Sequence, residues 1–358
     1  MIKRYLRVLC LCLCGLLLAA ALAGCSDQIL LESGEIVTKG HTAATSPADQ
    51  GADTEAQTKK EAVTLPPLTL ATQAETKPPM SLEDIDSDVL FKDSETVAWF
   101  DFLQTGESDC ILIRVGDKTV LVDTADIDDS QRIKAKLTEY GITSIDCLIL
   151  THYDNDHIGA VSNLLTSVSV GEVYMPDYVR DSGLYRSAMD AIDKNVEASR
   201  IHRLYGETVE FTLGGATFSL NATKLYERGL TLGEDGTAEG IVENNFSIIT
   251  TVSLGEARIL LTGDAENARM AEFAGQFESG YPSYLLVKTP HHGEYSKALG
   301  ACLKQSRPRY CVVCTDMQEK VEATLVTAMI GSTVRYTYEG DISFATDGSK
   351  SRYWMEQK

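Results

Sequence analysis

The sequence predicts a mixed α/β domain of the αββα type, in which two β-sheets pack face to face and helices cover both outer surfaces. Two observations predict it. Apolar runs of strand length alternate with segments of helical periodicity in both halves of the domain, which is typical of layered α/β architectures. Several of these apolar runs also end directly in histidine or aspartate, which would place polar side chains at one edge of the sheets.

The first half of the domain is predicted as short strands followed by strands that alternate with helices. The first helix is indicated by Ile133, Leu137 and Tyr140, which share one face, and by Gly141, which follows as a stop signal. The predicted strands are 97–103, 110–114, 119–123, 145–150 and 172–175, and the predicted helices are 129–140, 158–165 and 184–192.

The second half opens with a hairpin, because apolar residues alternate over 209–213 and 216–220 on either side of Gly214-Gly215. The segment 226–239 is rich in glycine and charge, and we expect a mobile loop there. The other predicted strands are 246–254, 257–261, 284–287, 310–315, 333–338 and 342–346, with 342–346 as the last, and the predicted helices are 265–277, 297–303 and 318–329.

The N-terminus has the layout of a secretory signal, with three basic residues before an apolar stretch over 8–22. The following Leu22-Ala23-Gly24-Cys25-Ser26 resembles a bacterial lipobox. The resemblance implies a signal peptide over 1–24, cleavage before Cys25 and lipidation of that cysteine, which anchors the protein outside the cytoplasm. The alternative is an ordinary signal peptide with a chance cysteine.

The segment 25–94 is expected to be a disordered tether, because it is rich in Thr, Ala, Pro and Glu and has no aromatic residue before Phe91. The domain is therefore placed at 95–358. Of the net charge of −20, residues 1–26 carry +3, residues 27–94 carry −8 and the domain carries −15. Such an acidic surface repels nucleic acid at long range, which weighs against a passive DNA-binding module.

Five cysteines belong to the domain, and we expect buried core positions for them because most lie in apolar runs. A metal knuckle or a disulfide at Cys311 and Cys314 is the alternative. Residues three apart in a strand point to opposite faces, which disfavours it.

The most informative stretch is Thr151-His152-Tyr153-Asp154-Asn155-Asp156-His157, which places two imidazoles and two carboxylates directly after the apolar run 147–150. The pair His291 and His292 follows another such run, 284–287, and Asp264 ends a third at 260–261. Three strand ends that each present ligand side chains predict one metal site assembled by the fold.

These motifs, together with Asp123 after a strand, occur in an order that resembles the metallo-β-lactamase superfold. The details are most similar to the extracellular domain of the ComEC competence (DNA-uptake) proteins. The residues that carry this resemblance are Gly106–Ile113, Asn244-Asn245-Phe246-Ser247, Val287-Lys288-Thr289-Pro290-His291-His292-Gly293 and Tyr338-Glu339-Gly340-Asp341-Ile342. It covers about residues 97–350.

The resemblance implies two divalent metal ions with a water between them, whose pKa the ions would lower. His152 and Asp154 would face one ion, and Asp264 would bridge both. Asp156, His157 and one of His291 and His292 would face the other. Asp123 and Asn245 would orient the ligands, and the candidate catalytic residues are Asp156, His292 and Lys288. Lys288 would neutralise an anionic substrate; its alternative is a solvated strand position, since lysine is rarely buried.

Two departures from the superfold pattern change the expected chemistry. Asp154 stands where a second histidine is usual, and the isolated third-motif histidine is missing, with Asn244 or Asn245 nearest in order. Carboxylate ligands suit Mn or Mg better than the imidazole-rich cage of a zinc site does. Zinc still suits the position at His157. Lactamase activity is therefore not expected. The Gly-His-Pro of the ComEC pattern also has no counterpart near 315–320.

The expected function is a membrane-anchored, extracytoplasmic, metal-dependent hydrolase, a phosphodiesterase of nuclease-like activity. Its partner would be an anionic phosphodiester, with DNA as one candidate. A second hypothesis is hydrolysis of another envelope phosphoester, such as choline-phosphate or teichoic acid, which suits the acidic domain better. A third is a non-catalytic binding lipoprotein with an incomplete metal site.

Overall fold

Two β-sheets lie face to face in the computed structural model, which describes residues 86–294, 296–316 and 331–355. Within these ranges the first sheet has eight strands and the second has seven, and helices cover the outer surface of each. The predicted αββα class is confirmed.

The strands of the described residues are β1 (Ala98–Phe102), β2 (Ile111–Val115), β3 (Lys118–Val122), β4 (Ser144–Ile149), β5 (Ser169–Pro176), β6 (Val179–Arg180), β7 (Ile201–Leu204), β8 (Thr208–Leu213), β9 (Ala216–Asn221), β10 (Thr231–Leu232), β11 (Thr237–Ala238), β12 (Ile241–Val242), β13 (Ile249–Leu254), β14 (Ala257–Leu261), β15 (Leu286–Lys288), β16 (Tyr310–Val313), β17 (Thr333–Tyr336), β18 (Ile342–Thr346) and β19 (Ser351–Met355). The α-helices are α1 (Ser87–Leu90), α2 (Ser130–Glu139), α3 (Asn155–Ile158), α4 (Val161–Leu164), α5 (Gly183–Asn195), α6 (Asn267–Ala274) and α7 (Lys297–Ser306).

The inner faces of the two sheets form the central core. The first sheet has the order β19-β18-β1-β2-β3-β4-β5-β7 and the second β17-β16-β15-β14-β13-β9-β8. The ring of Phe344 on β18 lies 5.9 Å from that of Phe100 on β1 and 5.6 Å from that of Tyr310 on the opposite sheet. Each such fully buried aromatic side chain stabilises the fold by roughly 1.5–3 kcal/mol, so these contacts hold the sheets together.

The outer helices form where polar caps precede apolar faces. The Ser182 side chain accepts a hydrogen bond from the Tyr185 N–H and caps α5, while Ala188 and Ile192 are buried beneath it. The Ser296 side chain caps α7 in the same way by accepting from the Leu299 N–H. A serine cap of this kind stabilises a helix by about 1 kcal/mol.

The parallel strands determine where polar side chains can gather. In the first sheet β3, β4, β5 and β7 are parallel, and in the second β14, β15, β16 and β17 are parallel. Loops that leave the carboxyl ends of such strands are the usual binding edge of an open sheet. The residues after β4, β14 and β15 are those that the sequence predicts as ligands, and Asp123, which is predicted to orient them, follows β3.

Several predicted elements differ from the structure. The single helix over 158–165 is wrong: α3 begins at Asn155, inside the ligand motif, and α4 is separate. Gly159 lies between the two helices and against the backbone of the turn at Ile127. A Cβ at this position would sit only 2.4 Å from the Ile127 nitrogen. The predicted strand start at 246 is instead a 3₁₀ turn over Glu243–Phe246.

Two strands of the first sheet are missing from the prediction. β7 is not anticipated, and 342–346 is not the last strand, because β19 pairs with it in antiparallel register. On β19 the guanidinium of Arg352 lies 4.9 Å from the Trp354 ring centroid. This partly exposed pair breaks the apolar alternation by which a strand is recognised.

Segment 226–239 is more ordered than a plain loop. It contains β10 and β11, and β10 pairs in parallel with β6. The predicted helix 318–329, the signal peptide and most of the expected tether lie outside the described residues. In the part that is described, no helix is long and apolar enough to cross a membrane.

Residues 86–94 precede the expected domain start and are in contact with the domain. Phe91 is buried, and its ring lies 6.0 Å from that of Trp99 on β1. The Ser94 hydroxyl donates to the Asp347 carboxylate at 2.6 Å, beyond β18. These contacts attach the end of the expected tether to the first sheet.

Candidate metal centre

Four side chains from both sheets meet at the carboxyl ends of the parallel strands. Asp156 and His157 come from α3 after β4, Asp264 follows β14, and His292 follows β15. One ligand atom of each lies within 4.8 Å of the others. The site predicted from three separate strand ends is therefore assembled in one place.

Asp264 is at the middle of this group. Its Oδ2 lies 3.1 Å from His292 Nε2 and 3.3 Å from His157 Nε2. Asp156 Oδ2 lies 3.0 Å from the same His292 atom and 3.6 Å from the same His157 atom. Two imidazole nitrogens and two carboxylate oxygens thus lie close together, and such a set of donors is of the kind that binds Zn²⁺ or Mn²⁺.

Contacts behind the two imidazoles fix which nitrogen faces this point. His157 Nδ1 lies 2.8 Å from Asp123 Oδ2. Asp123 in turn accepts hydrogen bonds from the Thr151 N–H and hydroxyl, both at 2.7 Å. His292 Nδ1 lies 3.0 Å from the Cys314 carbonyl oxygen. Such partners set the tautomer of a metal-binding histidine and leave Nε2 for the ion.

The backbone at these positions is held in an uncommon conformation. Asp123, His291 and His292 have φ of 58°, 46° and 49°, a region that non-glycine residues seldom adopt. Such conformations persist where the surrounding structure determines them, and they occur often at functional sites.

Gly263 is required for the position of Asp264. Its φ is +52°, and a Cβ there would sit 2.9 Å from Thr151 Cβ and 3.1 Å from Ser247 Oγ. Ser247 Oγ also accepts the Asp264 N–H at 3.1 Å. The end of β14 can therefore approach β4 closely only because residue 263 has no side chain.

His152 and Asp154 lie beside the four-residue group. The His152 ring centroid is 4.1 Å from that of His157, and both rings are buried. Among the described residues, His152 Nε2 has no hydrogen-bond partner, and it lies 3.9 Å from Asp154 Oδ2. Burial, and then the neighbouring His157, lower the pKa of His152 to about 4. A neutral imidazole with an unsatisfied nitrogen is the form that binds a metal.

The charge of the four-residue group favours a cation. Burial opposes protonation of His292, but the carboxylates of Asp264 and Asp156 outweigh it and raise the pKa of His292 to about 10. The pKa of His157 is raised by Asp264 and Asp156 against the same opposition. Without an ion the two imidazoles therefore tend to hold protons. A divalent cation that displaces these protons would supply positive charge in their place, so the residues fit such a cation.

Lys288 is fully buried, so the solvated alternative is wrong. Its ammonium contacts the Asp109 carboxylate, lies 3.6 Å from Asp264 Oδ1 and donates to the Gly263 carbonyl oxygen at 3.1 Å. The side chain is thus enclosed behind Asp264, where it forms ion pairs with both carboxylates and donates to the carbonyl oxygen. This position does not match the expected contact with an anionic substrate.

Two further predicted residues lie apart from the group. His291 is part-exposed, with Nδ1 3.2 Å from Glu294 Oε2, and it lines an open cleft of about 450 Å³ with Glu266 and Lys297. Of the two adjacent histidines, the structure thus brings His292 into the group. Asn245 Oδ1 accepts the Arg269 N–H at 3.1 Å at the start of α6, so it does not orient a ligand.

Sequence reasoning missed Asp109, Arg180, Glu243 and Ser247 as parts of this site. Asp109 and Ser247 stand inside motifs that indicated the family resemblance, and that position was their only signal. Arg180 and Glu243 had none, since an arginine after a strand and a glutamate in a polar loop are ordinary surface patterns. Their ion pair forms only when the loop after β12 folds back on β6.

Comparisons with known proteins match most of the domain to one family. Residues 103–315, more than half of the chain, match the family described as the metallo-beta-lactamase superfamily. Competence protein ComA of Neisseria gonorrhoeae is 24% identical over 208 residues, which are 58% of this chain and 25% of that protein. ComE operon protein 3 of Bacillus subtilis (strain 168) is 25% identical over 177 residues, 49% of this chain and 21% of that protein. The matched part is thus about a quarter of each relative.

Solved structures with similar backbones include the metallo-beta-lactamase fold protein YhfI from Bacillus subtilis. It has 12% identity and a TM-score of 0.43, over 68% of this chain and 96% of that one. Tm1679, described as a metal-dependent hydrolase of the beta-lactamase superfamily, has 11% identity and a TM-score of 0.45 over the same shares.

Proposed function

The chain belongs to the metallo-β-lactamase superfamily of metal-dependent hydrolases, and we propose that it is a phosphodiesterase that works with two divalent ions. The similarity to Competence protein ComA and to ComE operon protein 3 bears out the resemblance seen in the motifs. The function of these whole relatives is not transferred, because the chain matches only about a quarter of their length.

The observation that carries this proposal is the presence of two adjacent ligand groups. Asp156, His157, Asp264 and His292 form the first, with ligand atoms within 4.8 Å. His152 and Asp154 form the second, with facing atoms 3.9 Å apart. Divalent ions bound in two such neighbouring positions activate water and stabilise the charge that develops on phosphate oxygens.

The chain's own residues prepare this chemistry by holding ligand atoms in place. Asp123 and the Cys314 carbonyl orient His157 and His292, while Ser247 and Lys288 hold Asp264. Because these partners are buried, the ligand atoms need little rearrangement when a cation enters. The main role of Asp156 and His292, which the sequence offers as candidate catalytic residues, is therefore to bind the ion. His291 is not needed as a ligand and faces the cleft.

The carboxylate at Asp154 supports a phosphoester substrate over a lactam. It replaces an imidazole in the superfold pattern and makes the ligand set harder, which suits Mn²⁺ or Mg²⁺. Those ions commonly coordinate phosphate oxygens. The cleft beside the ligands offers Lys297 and His291 as groups that can meet an anionic substrate.

Turnover of bis(p-nitrophenyl) phosphate with added Mn²⁺ or Zn²⁺ tests the proposal. Asp264→Ala is the blank, and Asp190→Ala, an exposed aspartate on α5, is the matched control. We expect metal-dependent hydrolysis that Asp264→Ala abolishes and Asp190→Ala retains. Absence of turnover with every metal, in protein shown to bind metal, would contradict the proposal.

A second candidate, hydrolysis of a smaller envelope phosphoester, is supported by charge. Residues 95–358 carry a net charge of −15, which repels a polyanion such as DNA more than a choline-phosphate ester, whose positive and negative charges cancel. A teichoic acid is itself a polyanion, so this argument does not extend to a teichoic-acid bond. Parallel rates on single-stranded DNA and on these cell-wall phosphoesters distinguish the two. Faster hydrolysis of DNA at low salt would exclude the second candidate as the main activity.

We also propose that the protein is anchored outside the cytoplasm through Cys25, whose setting is similar to a lipobox. The measurement is the share of protein in the membrane fraction for the full chain and for Cys25→Ala. Equal membrane retention of both would contradict the lipid anchor.

A further inference from the structure

Arg180 is a buried cation beside the second ligand group. It is 5% exposed, and it follows β5 on the short strand β6. Its Nη1 lies 2.6 Å from Asp154 Oδ1 and 2.8 Å from Glu243 Oε2. The same atom donates to the Tyr153 carbonyl oxygen at 2.9 Å.

Other contacts fix the guanidinium from behind. Its Nη2 donates to the Glu234 carbonyl oxygen at 3.1 Å, in the turn between β10 and β11. Tyr178 donates its hydroxyl proton to Glu243 Oε1 at 2.5 Å and accepts the Tyr153 N–H at 2.7 Å. Arg180 is therefore held by residues from three separate segments, and its position does not depend on Asp154 alone.

The contact divides the two oxygens of Asp154 between two tasks. Oδ1 is taken by Arg180, while Oδ2 faces His152 Nε2 at 3.9 Å. Two ligands that bind one cation at about 2.1 Å each lie roughly 3–4 Å apart. The 3.9 Å between Oδ2 and Nε2 lies within this range. Asp154 is also partly exposed, so an ion and substrate can reach it.

This arrangement parallels the treatment of the histidines in the same site. His157 and His292 are oriented by Asp123 and by the Cys314 carbonyl, which bind the nitrogen away from the ion. A carboxylate has no N–H to donate, so its orienting partner must itself be a donor. A planar arginine fork in a fixed position meets that requirement.

We propose that Arg180 is the positioning residue for the second ligand group: it turns Oδ2 of Asp154 towards His152, so that the pair, with Asp264, holds a divalent ion. This inference rests on the two-ion site of the proposed function. It explains why an aspartate can stand where the superfold usually has histidine, because an arginine supplies the orientation.

Mn²⁺ titration, followed by calorimetry and by the spin resonance of free Mn²⁺, tests the inference without any substrate. The variants are Arg180→Gln, Arg180→Lys and Asp154→Asn, together with the double variant R180Q/D154N. Arg186→Gln is the control, because Arg186 also pairs with an aspartate, at 2.7 Å, but is 63% exposed. We expect two equivalents bound by the unaltered protein and by the control.

In R180Q we expect the tighter equivalent to be unchanged and the weaker one to lose about 10–100-fold in affinity, the usual cost of removing an orienting partner. R180K should recover part of this loss, because an ammonium can still donate to Oδ1. R180Q/D154N should bind no more weakly than D154N alone, since both changes act through one carboxylate. A purely structural role would instead lower both affinities together.

Unchanged or tighter binding of both equivalents in R180Q would overturn the inference, as would a single equivalent in the unaltered protein. If circular dichroism shows that R180Q does not fold, the Mn²⁺ affinities of R180K and D154N are compared instead. The inference then requires that both variants weaken the same, weaker equivalent. Turnover of bis(p-nitrophenyl) phosphate is measured separately. Two bound ions without turnover contradict the phosphodiesterase proposal alone, whereas normal turnover with unaltered binding in R180Q contradicts the role of Arg180 alone.

Discussion

Replacement of Lys288 by methionine tests whether this buried lysine serves the fold or the substrate. Lys288 has no exposed surface and contacts Asp109 and Asp264. Burial lowers the pKa of its ammonium, but the two carboxylates outweigh it and hold the pKa above the usual value. The side chain is therefore a charged group enclosed between two negative ones.

The size of the effect follows from these contacts. At 3.6 Å from Asp264 Oδ1, the attraction between unit charges is about 5 kcal/mol at an effective dielectric constant near 20. Removal of one partner from a buried ion pair typically costs about 3–5 kcal/mol in the free energy of unfolding. Lys288→Met leaves two buried carboxylates without their cation, so we expect a loss in that range for the metal-free protein.

Urea unfolding in the presence of EDTA measures this loss. Lys304→Met is the control, since Lys304 is exposed on α7, and it should change the free energy of unfolding by less than about 0.5 kcal/mol. Lys288→Met with Asp109→Asn should recover part of the loss, because one of the two carboxylates is then neutral. A loss below about 1 kcal/mol, together with a raised KM, would refute the structural role and favour contact with substrate.

Three further predictions concern the ligands, the close approach of the strands and the domain boundary. His292→Ala should bind one equivalent of Mn²⁺ fewer or at least about tenfold more weakly in calorimetry, while His291→Ala should bind as the unaltered protein does; equal losses would place both histidines at the ion. Gly263→Ala should lower metal affinity, because its Cβ would meet Thr151 and Ser247; unchanged affinity would show that β14 can move aside. A chain that starts at residue 95 should unfold with about 2–3 kcal/mol less free energy than one that starts at 86, because it lacks the buried Phe91. Burial raises the pKa of Asp347, but hydrogen bonds from Ser94 and the backbone outweigh it and hold the pKa well below its usual value. The stability that the Ser94–Asp347 hydrogen bond adds should therefore be present above about pH 4 and be lost as the pH falls further. Equal stability of both chains at neutral pH would contradict the attachment.

The layers of the fold and most candidate ligands could be predicted because they depend on local sequence. A strand that ends in His152 or Asp264 shows both its apolar run and its polar end in adjacent positions. The choice between His291 and His292 could not be made, because it depends on the turn after β15. There the backbone adopts positive φ and the Cys314 carbonyl is within reach of one ring.

The supporting charges could not be predicted, because each is defined by partners far away in sequence. A solvated position is the ordinary expectation for Lys288, since lysine is seldom buried. What overrides that tendency is Asp109, which lies far earlier in the chain and reaches the lysine only across the two sheets. Arg180 depends in the same way on Glu243 and on the loop that carries it.

These two cations share one arrangement, which bears on how an acidic protein can assemble this site. Lys288 lies between Asp109 and the candidate ligand Asp264, and Arg180 lies between Glu243 and the candidate ligand Asp154. In each case one carboxylate holds the cation and the cation holds a ligand carboxylate. Buried carboxylates repel one another before any metal arrives, and an enclosed cation on each side offsets that repulsion. The candidate ligand carboxylates can therefore be kept close together and oriented in the metal-free protein, so that a divalent ion would meet a prepared set of oxygens.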